Sequence, residues 1–63
     1  MHHAGKIIQM ARKAQNLSLR DLAALSEVDH TTISRIERGV IDGSPRTLKA
    51  LTEALGRALG GAA

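Results

Sequence analysis

The chain is 63 residues long and carries nine Lys and Arg against six Asp and Glu, for a net charge of +3, which bounds it to one small domain of modest basic excess. It contains no Cys, so disulfides and thiolate metal sites are excluded, and no Phe, Trp or Tyr, so its core must be Leu, Ile, Val, Met and Ala. No apolar run approaches the ~18 residues of a membrane span and no charged-then-apolar leader opens the sequence, so an intracellular, cytoplasmic protein is expected.

Residues 1–4 are expected to be a disordered N-terminus. His2 and His3 have no third ligand nearby, so no metal is expected there. The domain proper is expected over 5–59. Its first helix runs from Ala4 or Gly5 to Gln15, with Ile8, Ala11 and Gln15 on one stripe and Ile7 and Met10 flanking it. Asn16 tolerates the left-handed conformation and is a plausible stop. Leu17 then plugs the core from the loop.

Ser18-Leu19-Arg20-Asp21 reads as a helix start, Ser18 capping and Asp21 answering three residues on. This second helix is short and ends near Ser26, with Leu22, Ala23 and Leu25 pointing inward. Glu27-Val28-Asp29 forms a tight turn that buries Val28, and Asp29 caps a third helix. Gly39 ends that helix in the left-handed conformation. Val40 and Ile41 are apolar residues of a loop and belong to no helical stripe. Ser44-Pro45 opens a fourth helix, in which Leu48, Leu51 and Leu55 face inward. Gly56 is expected to end it. Arg57-Ala58-Leu59 is too short for a full fifth helix, and residues 60–63 read as a flexible tail. The fold class is therefore all-α, a compact four-helix domain.

The third helix, within DHTTISRIERG, has two unlike faces. At about 100° per residue, Ile33 and Ile36 share one side, while His30, Thr31, Ser34, Arg35 and Arg38 share the other. The polar side holds guanidiniums, an imidazole and short hydroxyls without an acid, a set suited to base edges in a DNA groove. An ordinary amphipathic helix with a solvated polar face has the same periodicity.

Two short helices around a tight turn, Leu19–Ser26 and Asp29–Arg38, match a helix-turn-helix. With Ile8, Ala11 and Arg12, the run LSLRDLAALSEVDHTTISRIERG and the segment PRTLKALTEALG, the chain resembles the phage-repressor and Cro-like helix-turn-helix family over roughly residues 8–56. The resemblance implies that the third helix lies in the major groove. It implies base contacts from His30, Thr31, Ser34 and Arg35, with Asp29 at their edge. It implies phosphate contacts from Ser18, Arg20, Arg38 and Arg46 and from the amides opening the second and fourth helices. Arg12 and Glu37 match a partly buried ion pair linking the first helix to the third. The chain departs from the family's common pattern at Leu19, where Gln is frequent, at Glu27, where Gly is frequent, and after Gly56, where a fifth helix is frequent.

The expected function is sequence-specific binding of double-stranded DNA by a transcriptional regulator, a repressor that occupies its operator. The alternative is a protein-interaction module of antitoxin or bridging type on the same fold. The acid-free face of the third helix favours DNA. An enzyme is not expected, because no nucleophile has a paired base and orienting acid. No cofactor and no small-molecule ligand are expected. The small core and the single reading helix suggest a homodimer, weak off DNA, on a two-fold symmetric operator. Val40, Ile41 and Leu59 are the expected dimer surface.

Overall fold

A computed structural model describes residues 4–60, and within them the chain forms four α-helices: α1 (Ala4–Ala14), α2 (Leu19–Ser26), α3 (His30–Glu37) and α4 (Pro45–Gly60). No strand occurs among the described residues. None of the helices is long and apolar enough to cross a membrane.

Local sequence sets the helix ends. Two of them close in the same way. At α1 the amide of Asn16 donates to Lys13 O (3.0 Å) and that of Leu17 to Arg12 O (3.1 Å), with Asn16 left-handed at φ 58°. At α3 the amide of Gly39 donates to Ile36 O (3.1 Å) and that of Val40 to Arg35 O (2.9 Å), with Gly39 at φ 78°. Both are paired-bond C-terminal motifs that satisfy otherwise orphaned carbonyls. The start of α2 is a full capping box: Asp21 N–H donates to Ser18 Oγ at 2.9 Å and Ser18 N–H donates to Asp21 Oδ2 at 2.8 Å.

The core is Ile8, Leu22, Ile33, Ile36, Leu51, Ala54 and Leu55, with Leu17, Leu19, Ala23, Val28 and Leu48 packed on its edge. α3 inserts Ile33 and Ile36 against α1 and α2, and α4 closes the other side with Leu51 and Leu55. Gly5 is what lets α1 lie directly on α3. A Cβ at this position would overlap the backbone carbonyl of Ile36.

Three sequence expectations are corrected. Ala4 is helical, not part of a disordered terminus; residues 1–3 and 61–63, expected to be disordered and flexible, lie outside the described residues. α4 does not end at Gly56 but continues to Gly60, so Arg57 and Leu59 are helical. Gly56 meets open space, and the ~1 kcal/mol cost of Gly in a helix is offset because Ala54 and Leu55 are already committed to the core. Leu25 does not point inward; it is 39% exposed, since Leu22 and Ser26 take the buried stripe of α2. Ile7 and Met10, placed beside the stripe of α1, are 64% and 61% exposed.

Candidate nucleic-acid interface

α3 stands on its apolar side and turns its polar side outward. Asp29 Oδ2 accepts the Thr31 amide at 3.0 Å, which fixes the first turn. Thr31, Arg35 and Arg38 are exposed, and His30 and Ser34 are half-buried beside them. Between His30 and Arg38 the only acid is Glu37, and it is turned away from this surface. Arg38 Nε leans back on Ser34 O at 3.4 Å, a long contact that leaves its other guanidinium donors free of intramolecular partners among the described residues.

The inward turn of Glu37 has a specific partner. Arg12 Nε and Nη2 donate to Glu37 Oε2 and Oε1 at 2.7 and 2.9 Å, a two-pronged fork. Arg12 Nη1 donates to Leu17 O at 2.8 Å. The side chains are 9% and 3% exposed. The hydrogen bond to Glu37 raises the Arg12 pKa above its ordinary value against the opposing effect of burial. One guanidinium thus ties α1, the loop into α2 and the last turn of α3 together. It also removes a carboxylate from the side that would face phosphates.

The other candidate contacts flank α3. Ser18 and Arg20 are exposed at the start of α2. There the Ser18 hydroxyl and amide are both engaged by Asp21. The Asp21 carboxyl lies below its usual range because it accepts hydrogen bonds from Ser18. Arg46 is exposed in the first turn of α4, where Ser44 Oγ accepts the Thr47 amide at 3.2 Å. Leu19, in place of a polar residue, packs on the core edge rather than presenting a donor. Val40 and Ile41 are 62% and 40% exposed in the loop after α3, and Leu59 is 65% exposed near the end of α4. Val40 and Ile41 precede the start of α4 and Leu59 lies near its end, fourteen residues and roughly 21 Å of helical rise beyond Pro45.

Two polar links escaped sequence reasoning. Gln15 Nε2 donates to Leu55 O at 3.3 Å, and Arg57 Nη2 donates to Leu25 O at 2.8 Å. Both bonds end on backbone carbonyls distant in sequence, for which the sequence carries no local signal. Among the described residues no group of His, Asp and Glu could hold a metal.

A helix-turn-helix family profile matches residues 8–61. The chain is 40% identical over 55 residues to a protein of Methanothermobacter thermautotrophicus provisionally named an HTH-type transcriptional regulatory protein. That match covers 87% of the chain and 18% of the relative, so the chain spans under a fifth of the relative's length. No solved structure matches the chain significantly.

Proposed function

We infer that this chain, which belongs to the helix-turn-helix family of the phage-repressor and Cro type, is a sequence-specific DNA-binding transcriptional regulator that represses by occupying an operator. One observation carries the reading. The outward side of α3 presents His30, Thr31, Ser34 and Arg35 with no acid among them, on a helix whose carboxylate is neutralised from behind by Arg12. The name of the archaeal relative agrees with it.

In this reading α3 lies in the major groove. Arg35 is placed to take guanine O6 and N7 with two parallel donors. His30 donates to one acceptor, Ser34 bonds either a base or a sugar-side acceptor, and the Thr31 methyl meets a thymine methyl. Arg38, Arg46, Arg20 and the Ser18 end of α2 bind phosphates and set the register of the domain on the duplex. Leu19 supplies no phosphate donor, so its neighbours Ser18 and Arg20 carry that edge. The protein acts in the cytoplasm, without catalysis, cofactor or effector.

The active species is a homodimer on a two-fold symmetric operator, because a single reading helix covers about half a site. The spacing along α4 restricts how the copies meet. In an isologous interface with antiparallel α4 helices, Leu59 of each copy reaches Val40 and Ile41 of the other. Selection of bound sequences from random duplex DNA tests the whole reading. A symmetric consensus is expected, and recovery of no enriched sequence refutes it.

A further inference from the structure

The turn that aims α3 is built under two local handicaps. Glu27 closes α2 in the left-handed conformation, φ 61° and ψ 23°, which is costly for a residue with a Cβ. It also sets an acid at the negative end of the helix, where the last turn of α2 has no basic residue of its own. Three bonds within the unit hold this end: Glu27 N–H to Ala23 O at 2.8 Å, Ser26 Oγ to Leu22 O at 2.7 Å, and Val28 N–H to the same Ser26 hydroxyl at 3.2 Å. The fourth bond comes from outside. Arg57, on the last turns of α4, donates Nη2 to Leu25 O at 2.8 Å across 32 residues of sequence.

We propose that Arg57 is a positioning residue of the recognition unit: from the C-terminal turns of α4 it supplies the cation and donor that the end of α2 lacks, and so fixes the angle at which the turn delivers α3. The proposal concerns aim, and it deepens the DNA-binding reading on which its functional consequence rests. The hydrogen bond of Arg57 goes neither to a base-reading residue nor to a residue of the core cluster. It acts on the Leu25 carbonyl, two residues ahead of the strained Glu27, and shares no hydrogen bond with Arg12, which anchors the C-terminal end of α3. The helix-turn-helix is thereby tied by two arginines from the helices that flank it, Arg57 to the end of α2 and Arg12 to the end of α3.

Two arms test it, on Arg57→Ala and Arg57→Lys. Amide hydrogen exchange in the free protein reads the turn directly. Arg57→Ala is expected to speed exchange at Glu27 and Val28 by about threefold to tenfold and leave Val40, at the far end of α3, unchanged. Arg57→Lys, keeping a cation and donor, is expected to restore most of the protection. Uniform acceleration at Glu27, Val28 and Val40 alike, or none, overturns the proposal. The second arm compares binding to a selected duplex and to its single-mismatch variants. Arg57→Ala should lower discrimination by about threefold to tenfold with an unchanged salt slope. A slope lower by about one unit would make Arg57 a phosphate contact and also overturn it. The exchange arm needs no DNA, so it decides the positioning role even if the parent chain selects no duplex.

Discussion

Arg12 and Glu37, 25 residues apart, form a two-pronged ion pair that closes the gap between α1 and α3 with almost no exposure to solvent. Neither partner has water to fall back on. Removing Glu37 strands a guanidinium whose remaining bond is to Leu17 O. Glu37→Ala is therefore expected to destabilise the fold by ~3–5 kcal/mol, against at most ~1 for an exposed pair. Thermal melting by far-ultraviolet circular dichroism reads this, and a melt like the parent's refutes the buried pair.

Glu27 occupies a backbone conformation that Gly adopts freely. Glu27→Gly should raise stability by ~1 kcal/mol, because relief of left-handed strain outweighs the extra freedom of the unfolded chain. Urea denaturation is the measurement; a lower midpoint contradicts the strain.

The Asp21 carboxyl is depressed chiefly by the hydrogen bond it accepts from the Ser18 amide, with the Ser18 side chain adding to it. A folded-state pKa below the unfolded one stabilises above the unfolded value, ~4, and the contribution is lost as pH falls through the folded one. Acid unfolding between about pH 5 and 2 should therefore become shallower in Asp21→Asn. Parallel pH profiles for parent and variant would show that the box contributes nothing to acid sensitivity.

Arg35→Ala should lose ~1–3 kcal/mol of discrimination at one base pair while melting like the parent. Binding assays on a panel of single-base variants separate the roles. Equal weakening on every duplex would assign Arg35 to phosphate instead.

Arg38→Ala and Arg46→Ala should each weaken binding on all sequences alike and reduce the slope of log K against log salt by about one unit. A titration at several salt concentrations decides this for each residue separately.

Much of the fold was legible because its signals are local. Ser18 with Asp21, Asp29 ahead of Thr31, Asn16 and Gly39 each act within a few residues, and the structure uses all of them at helix ends. The core stripe of Ile8, Leu22, Ile33, Ile36, Leu51 and Leu55 follows from period alone. What was not legible depends on neighbours distant in sequence. Gly56 is a stop signal by propensity, but α4 runs through it to Gly60, and the bonds Gln15 to Leu55 O and Arg57 to Leu25 O link elements distant in sequence. Gly5 carries no local signal, since its requirement comes from the Ile36 carbonyl lying on it. The outward position of α3's polar residues follows from period; which base or phosphate each would meet depends on a duplex that sequence periodicity does not contain.

Seven of the eight residues of α3 fall into two groups. Ile33, Ile36 and Glu37 hold the helix to the rest of the molecule. The side chains of His30, Thr31, Ser34 and Arg35 make no intramolecular hydrogen bond among the described residues and contribute nothing to the core cluster. Selection can therefore rewrite these four without reopening the folding problem. If these four read DNA as proposed, a lineage carrying this scaffold can duplicate it and diverge in target by substitutions confined to one side of one helix, with the core cluster left untouched.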